Sequence, residues 1–344
     1  MMRIIASGKC GNCFLLLFFI LGFYGCAGTY SVVEFEVLEP ATISFPDDVS
    51  QLLVLNRAPL SMDSFNEEDR EGLGERELLI VDSLITNSIR RGLVDVFKNS
   101  PVKRFHKPVF LDERRKDTLY SKDLILTKRE VNSLCERTNT DAIVSLERYF
   151  LDVGLYYDFY EEESSEILNQ YYIFSNLIRW AIYLPGNPRP FDEYSTVDTL
   201  YFSRISDGMF VGTPSSAEML RDLFYESGQR YGRYLVPVWV DTYRTLYKGK
   251  NDSLRLASKY TRDGNWDLAY ALWEQMIDSG DSTLAAKALH NMAVYHELED
   301  DLDSASQLID RALQYDTLEL VKSYREELDV RLMNREEVID QVIN

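Results

Sequence analysis

Two segments near the carboxyl end of the chain repeat the same arrangement of residues, and this repeat restricts the fold more than any other feature. In the first segment Ala257 is followed twelve positions later by Ala269, and in the second Ala293 is followed twelve positions later by Ala305. Larger residues lie between and beyond the two alanines of each pair, and Ala269 and Ala305 are 36 residues apart. A recurrence at such a period is typical of repeat architectures, in which each unit packs on its neighbours.

The repeated segments resemble tetratricopeptide repeats, in which small residues let two antiparallel helices approach and large residues fill the space between them. The family spacing is ~34 residues, and the two additional residues fit a loop at 279–283. The resemblance implies two repeats, with Asp300 at the position of the usual turn glycine. The alternative is a plain four-helix cluster. Because such repeats need about three units for a continuous core, we expect helices over 215–248 and 318–332 to cover the ends.

The repeat register also implies a concave groove that would face a partner segment. Its predicted lining residues are Leu254, Ser258, Thr261 and Arg262 from the first unit and His290, Val294, Glu297 and Leu298 from the second. The alternative is that these side chains pack on the domain that precedes the repeats. The implied partner is an unidentified protein or peptide.

The amino-terminal segment predicts export. Two basic residues precede an unbroken apolar run, Phe14–Leu21, which is typical of a secretory signal peptide and is well short of the roughly 20 residues that span a bilayer. The Gly-Cys pair at 25–26 resembles a bacterial lipobox, although Phe23 stands where Leu, Val or Ile is usual. The resemblance implies cleavage after residue 25 and lipidation of Cys26, with palmitate as an expected acyl group. The alternative is an ordinary cleaved signal.

The charge of the chain limits how it can meet a membrane or a nucleic acid. Two of the 37 basic residues leave with the signal, so the mature chain has 35 basic and 56 acidic residues and a net charge of −21. This balance argues against nucleic acid and against electrostatic adhesion to anionic lipid, so membrane attachment requires the acyl chains. Of the remaining cysteines only Cys135 lies in the mature chain beyond Cys26, and its place on the apolar side of a predicted helix indicates a buried thiol.

The region before the repeats alternates strand and helix patterns. A strand is predicted at 32–38, and compact aliphatic runs predict buried strands at 51–56 and 141–147. Apolar residues at steps of three and four predict an amphipathic helix at 77–99. Short extended segments are expected at 102–105 and 109–111. Helix, short turn and aliphatic strand together predict a sheet covered by helices.

The middle of the chain adds further predicted elements. Thr127 and Glu130 form a capping-box pattern for a helix that runs to about Thr138. Apolar residues alternate over 172–184, and 196–205 is a suitable return strand, which predicts a long antiparallel addition to the same sheet. Helical spacing continues from Pro214 to about Lys248, with a kink expected at Pro237.

These patterns predict an α+β fold: an amino-terminal α/β-type mixed sheet with flanking helices, followed by an all-α tetratricopeptide-like helical repeat domain. The predicted organisation is a signal peptide at 1–25, an α+β domain at 26–212, connecting helices at 213–248 and a helical domain at 249–344.

The sequence lacks the motifs that mark common catalytic sites. His290 and His296 are six residues apart, on nearly opposite sides of a helix, and no HExxH, phosphate-binding, dinucleotide-binding or GxSxG pattern occurs. We therefore predict no catalytic residue, no metal, no cofactor and no enzymatic activity. The alternative is an envelope hydrolase or carbohydrate-binding protein with its site in the α+β domain, which a deep pocket with converging polar groups would favour.

The order of signal, cysteine, α+β domain and repeats resembles an uncharacterised bacterial family of lipoproteins with tetratricopeptide repeats. The residues that carry this resemblance are Leu53–Arg57, Arg179–Tyr183 and Val236–Trp239. The resemblance implies a location in the cell envelope. We predict a membrane-anchored lipoprotein of the outer membrane, facing the periplasm, that acts as an interaction scaffold for an unidentified envelope protein or peptide and binds no nucleic acid.

Overall fold

The computed structural model describes residues 29–60, 74–115, 125–162, 165–206 and 216–343. The chain divides into two compact units. The sheet unit consists of residues 34–242 and 326–344, and the helical unit consists of residues 1–33 and 243–325. The overall class is therefore α+β, as predicted, with a mixed sheet in the amino-terminal part and several helices in the carboxyl-terminal part.

The sheet unit is built around five strands in the order β3-β2-β4-β5-β6. The strands are β2 (Leu52–Asn56), β3 (Val109–Asp112), β4 (Ala142–Glu162), β5 (Ser165–Tyr183) and β6 (Asp192–Ser206). β2 is parallel to both β3 and β4, with Leu53 opposite Val109 on one side and Ile143 on the other. β4, β5 and β6 are antiparallel, and a register shift interrupts the β4–β5 ladder between Leu146 and Arg148. The predicted long antiparallel addition is confirmed.

Three helices cover the two faces of this sheet: α1 (Glu75–Asn99), α2 (Lys128–Thr138) and α3 (Ser216–Leu235). Because successive strand residues point to opposite faces, Leu52 and Val54 pack with α1 and α3, whereas Leu53 and Leu55 pack with α2. The predicted capping box is present, since the Thr127 hydroxyl accepts from the Glu130 amide and the Glu130 carboxylate accepts from the Thr127 amide. Buried Cys135 lies in the α2 core, as its sequence context indicates.

Helices α1 and α3 approach each other closely through glycine. A Cβ atom placed on Gly92 would lie 2.1 Å from the Tyr225 carbonyl oxygen, and one placed on Gly228 would lie 2.1 Å from the Ile89 carbonyl oxygen. Both neighbours are backbone atoms of the opposite helix, which cannot move away as a flexible side chain can. The two glycines therefore set the distance between these helices.

The helical unit contains α4 (Asp252–Arg262), α5 (Trp266–Ile277), α6 (Ser282–Leu298) and α7 (Leu302–Tyr315), and it includes the start of α8 (Glu319–Ile343). Consecutive helices from α4 to α7 pack on one another. The four alanines that define the sequence repeat are all buried: Ala257, Ala269, Ala293 and Ala305.

The turns inside the two helix pairs have the same conformation. Gly264 has φ +77° and Asp300, 36 residues later, has φ +60°. Gly264 donates to the Thr261 carbonyl and Asn265 to the Tyr260 carbonyl, and the equivalent pairs are Asp300 to Glu297 and Asp301 to His296. An aspartate tolerates the left-handed conformation better than most residues with a side chain, which explains how Asp300 replaces a glycine there.

Two secondary-structure predictions are wrong. The helix predicted to reach Lys248 ends at Leu235, and Val238–Tyr247 is a strand, β7, that pairs with β1 (Tyr30–Glu39). Pro237 lacks an amide hydrogen and disfavours helix at the preceding residue, and the segment after it alternates exposed and half-buried residues with period two. The extended segment predicted at 102–105 contains a 3₁₀ turn, Lys103–Phe105.

The remaining points concern where elements end and how long the helices are. The helix predicted at 318–332 continues to Ile343. β4 extends to Glu162 and β5 begins at Ser165, and residues 163–164 lie outside the described part. Among the helices of the described ranges, none combines the length and the apolar character needed to cross a bilayer.

Candidate functional site

The predicted site residues fall in two places. Cys26, the predicted lipidation site, lies outside the described residues. The eight residues of the predicted partner groove lie on α4 and α6 of the helical unit. Five of them are buried, namely Leu254, Ser258, His290, Val294 and Glu297. Thr261 and Leu298 are half-buried, and Arg262 is exposed.

The end of strand β7, residues 243–247, contacts His290 and Glu297 of this set, and we call it the clamped segment. Its second residue, Arg244, forms a bidentate ion pair with Glu297: Nε lies 2.8 Å from Oε2, and Nη2 lies 2.8 Å from Oε1. The Tyr324 hydroxyl at the start of α8 donates to the same Glu297 carboxylate at 2.9 Å. The Glu297 side chain has no exposed surface and that of Arg244 is 9% exposed, so this pair has little access to water.

The neighbouring positions on α6 bind the backbone of the clamped segment. His290 Nε2 lies 2.8 Å from the Thr245 carbonyl oxygen. The Asn291 side chain accepts from the Tyr247 amide and donates to the Tyr247 carbonyl, both at 2.8 Å. These groups fix an extended segment through its main chain, in the manner of a strand bound in a groove.

The environment of His290 keeps its ring neutral. Its centroid lies 5.1 Å from that of Tyr247 and 5.0 Å from that of Tyr324, so aromatic rings cover it. Burial lowers the pKa of His290 to about 4, and this outweighs the hydrogen bond to Thr245 and the nearby charge of Glu297. A neutral ring that donates from Nε2 leaves Nδ1 as a bare acceptor, and Nδ1 has no hydrogen-bond partner among the described residues.

A partner could therefore bind the groups of His290 and Glu297 that hold the clamped segment only by displacing that segment. The structure brings His290 and Glu297 together around residues of the same chain, and Arg262 stays at the surface. The assignment of these eight residues to partner binding stays a prediction.

A second charged site, which the sequence reasoning missed, lies where the parallel strands β2 and β3 end. Glu147 is its first centre: the Arg57 guanidinium lies 3.0 and 3.2 Å from its two carboxylate oxygens, and the Tyr183 hydroxyl donates to it at 3.1 Å. Arg115 donates to the Glu147 carbonyl at 2.6 Å and lies 3.5 Å from its carboxylate. Burial lowers the pKa of Arg115, and the Glu147 charge opposes that effect.

Asp82 on α1 is the second centre of this site. Arg114 lies 2.7 Å from one of its carboxylate oxygens, and the Tyr149 hydroxyl donates to the other at 2.6 Å. Arg114 and Arg115 are consecutive in the chain, but Arg114 pairs with Asp82 and Arg115 pairs with Glu147. Burial, reinforced by Asp82, raises the pKa of Tyr149, so the phenol keeps the proton that it donates.

The carboxyl ends of parallel strands are where ligands often bind in open α/β sheets. In this site each carboxylate already accepts from an arginine and from a tyrosine, so its geometry is that of a structural network that joins β2, β3, β4 and α1. One signal in the sequence marks it: Arg57 directly follows β2, and the pair 114–115 follows β3 after one intervening residue. Their carboxylate partners are 32 to 90 residues away, which no local pattern shows.

The sheet unit also contains a cavity of about 340 Å³, which is near the lower end of the size of ligand sites. Its polar lining includes Ser44, Asp47, Arg104, Asp340 and Gln341. The Gln341 amide is already engaged, since it accepts from the Ala41 amide at 2.8 Å and donates to the Ala41 carbonyl at 3.0 Å. Across the described ranges, no cluster of three or more His, Cys, Asp and Glu residues is placed to hold a metal ion.

Models of two protein families match most of the chain. The model of a domain of unknown function, DUF8603, matches residues 49–247. The chain belongs to the DUF8603 family. A second domain of unknown function, DUF6340, matches residues 255–330. The uncharacterised family that the sequence predicts is confirmed to this extent. The DUF8603 region contains the charged site at Glu147 and Asp82, and the DUF6340 region contains most of the predicted groove residues.

Other comparisons add little to this assignment. No curated protein matches the chain. Among solved structures, a neuraminyllactose-binding hemagglutinin homologue from Helicobacter pylori is 11% identical, with 56% of this chain and 83% of that chain covered and a TM-score of 0.27. The PelC dodecamer from Paraburkholderia phytofirmans is 8% identical, with coverage of 58% and 96% and a TM-score of 0.21. At these scores neither likeness carries an argument about fold or function.

Proposed function

We propose that this DUF8603 protein is a lipoprotein of the bacterial cell envelope. It is held in the outer membrane by acyl chains on Cys26, faces the periplasm, and serves as an interaction scaffold through a tetratricopeptide-like helical region. It has no catalytic role. Its partner is an envelope protein or peptide.

The anchor rests on the amino-terminal sequence. A basic start and a short apolar run end at the Gly-Cys pair at 25–26, which is the order of a lipoprotein signal. A mature chain with a net charge of −21 is repelled by anionic lipid. Covalent acyl chains are the attachment that this charge leaves available.

The observation that carries the scaffold proposal is the repeat in the helical unit. Ala257, Ala269, Ala293 and Ala305 are each fully buried, at the positions where close packing of paired helices requires small residues. The turn hydrogen bonds recur with the same offset of 36 residues as the alanines. Stacked helix pairs of this kind present extended surfaces, and proteins built from them commonly bind other proteins.

The clamped segment indicates what kind of ligand this helical surface accepts. Asn291 and His290 hold the backbone of an extended strand, and Glu297 selects a basic side chain on it. A partner in extended conformation with a basic residue would satisfy the same groups in place of residues 243–247. Arg262, exposed at the end of α4, is accessible without any displacement.

The hydrolase or carbohydrate-binding alternative has less support. One place in the α+β domain where such a site could lie is the carboxyl edge of the parallel strands, and there Asp82 and Glu147 are engaged by arginines and tyrosines. A general acid or base needs a carboxyl group within reach of a substrate proton, and these two carboxyl groups are occupied by other side chains.

The scaffold proposal can be tested by photo-crosslinking in intact cells. A photoreactive amino acid at Arg262 is compared with one at Leu268, which is 52% exposed on α5. We expect a discrete protein adduct from position 262 and none from position 268. The proposal fails if position 262 yields no adduct, or if the same adducts form equally at both positions.

A further inference from the structure

We propose that two exposed side chains next to the lipid anchor, Tyr30 and Val32, rest on the interfacial layer of the bilayer that holds Cys26. We call them the anchor-proximal patch. The inference deepens the proposed function and rests on the lipid anchor. It adds a defined face of the helical unit that meets the membrane.

The first argument is exposure. Tyr30 is 52% exposed and Val32 is 60% exposed. Tyr30 and Val32 are alternate residues of β1 and so point to the same side of that strand, and both are more exposed than the half-buried residues between and beside them. Single exposed apolar residues are common on soluble proteins, so exposure alone does not identify a binding surface.

The second argument is the length of chain between the patch and the anchor. Cys26 and Tyr30 are four residues apart, and a fully extended chain spans at most about 3.6 Å per residue, or roughly 14 Å in total. The interfacial layer on each side of a bilayer is roughly 5–8 Å thick. If the Cys26 acyl chains are inserted, Tyr30 is therefore held within about two interfacial thicknesses of the hydrocarbon core.

The third argument is chemical. Tyrosine concentrates at membrane interfaces because its ring is apolar and its hydroxyl group bonds to water and headgroups. The amides of Lys248 and Gly249 both donate to the Thr29 carbonyl at 2.9 Å. Lys248 and the exposed Lys250 therefore belong to the segment that lies beside the anchored end of β1, where a cationic group favours anionic headgroups.

The same strand also limits the contact. Beyond Val32, the next exposed positions of β1 are Glu34 and Glu36. Carboxylates are repelled by anionic lipid and strongly hydrated, so the membrane-facing part of β1 ends at Val32. The patch therefore makes a small contact close to the anchor.

The inference is tested by attaching an environment-sensitive fluorophore to single cysteines in the full lipidated protein. Val32→Cys probes the patch, and Leu268→Cys is the matched control on an exposed apolar residue of α5. Cys135 is buried and remains in both variants. Each protein is reconstituted in vesicles of phosphatidylethanolamine and phosphatidylglycerol, with and without a lipid that carries a quencher near its headgroup.

We expect the label at Val32→Cys to shift its emission to the blue and to lose intensity with the quencher lipid, while the label at Leu268→Cys does neither. Tyr30→Ser is expected to reduce the quenching at Val32→Cys without releasing the protein from the vesicles. The inference is overturned if both labels behave alike. It is equally overturned if the Val32→Cys label shifts to the blue without lipid quenching, which would indicate a protein partner or a second copy.

If the protein has no lipid anchor, the experiment gives a different result. In that case the unlabelled wild-type protein does not float with the vesicles, and both the proposed function and the membrane contact are rejected. If the protein floats but the label at Val32→Cys remains in water, only the patch is rejected.

Discussion

Replacement of Glu297 by alanine is expected to destabilise the helical unit strongly. The Glu297 carboxylate accepts two hydrogen bonds of 2.8 Å from Arg244 and one of 2.9 Å from Tyr324. Removing it leaves an arginine whose side chain is only 9% exposed without its carboxylate partner. Breaking one side of a buried ion pair costs about 3–5 kcal/mol, which is a factor of roughly 10² to 10³ or more in the unfolding equilibrium.

Two further variants separate this cost from the loss of volume. In the double variant with Arg244→Met and Glu297→Met, both charges are replaced by apolar chains, and such replacements of buried pairs are often neutral or stabilising. We therefore expect it to recover most of the stability. Glu319→Ala breaks a pair on α8 in which the glutamate side chain is 89% exposed, and exposed pairs contribute little, so no measurable change is expected.

The assay is hydrogen exchange read by mass spectrometry on peptides from α6, over a urea series, in the full chain. Exchange is preferred to a single melting curve because two units need not unfold together. The reasoning is refuted if Glu297→Ala changes the protection of α6 no more than Glu319→Ala does, or if the double methionine variant is as unstable as the single alanine variant.

Three other predictions follow from the structure. Gly92→Ala and Gly228→Ala should lower the urea midpoint, because each new Cβ would lie 2.1 Å from a backbone carbonyl oxygen. Alanine usually stabilises a helix by about 1 kcal/mol over glycine, so the expected direction is the opposite of the usual one. An unchanged or raised midpoint would contradict the close approach of α1 and α3. Thr127→Ala should cost about 1 kcal/mol through loss of the cap on α2, and Thr127→Ser should restore most of it in the same urea titration. The pKa of folded His290 is about 4, below the ordinary histidine value of 6.5, so the unfolded chain takes up a proton that the folded chain does not as the pH falls between these values. Stability should then decrease by up to about 3 kcal/mol from pH 6.5 to 4, and His290→Leu should show a smaller decrease; equal pH profiles would contradict a buried neutral histidine.

Local signals predicted much of this fold from the sequence. The capping box at Thr127 and Glu130 marks the start of α2, because its two hydrogen bonds join residues three positions apart. The alanines of the repeat are buried because small residues at a fixed spacing reflect close helix packing in each copy. Both signals depend on neighbours in the sequence, and for that reason they are visible there.

Strand β7 shows how a local pattern can mislead. Leu235, Val238 and Leu246 have spacings compatible with a helix, and this favoured a continuous helix. Pro237 interrupts the segment, and exposed Trp239 and Tyr243 alternate with less exposed residues. Pairing with β1, which lies about 200 residues away in the chain, supplies the hydrogen bonds that decide between the two structures.

The candidate sites were harder to predict than strand β7, because their side chains contact residues that are distant in the sequence. Arg57 meets Glu147, 90 residues later, and Arg114 meets Asp82, 32 residues earlier. His290 and Glu297 share a face of α6 that binds an extended segment. That this segment is part of the same chain followed only from the three-dimensional structure.

The most direct test of the central proposal is mass spectrometry of the mature amino terminus, combined with fractionation of the cell envelope. The account predicts a chain that begins at an acylated Cys26, sediments with the outer membrane and is absent from that fraction when Cys26→Ser is introduced. A soluble chain that begins at another residue, or a Cys26→Ser variant that remains fully in the outer membrane, would contradict it.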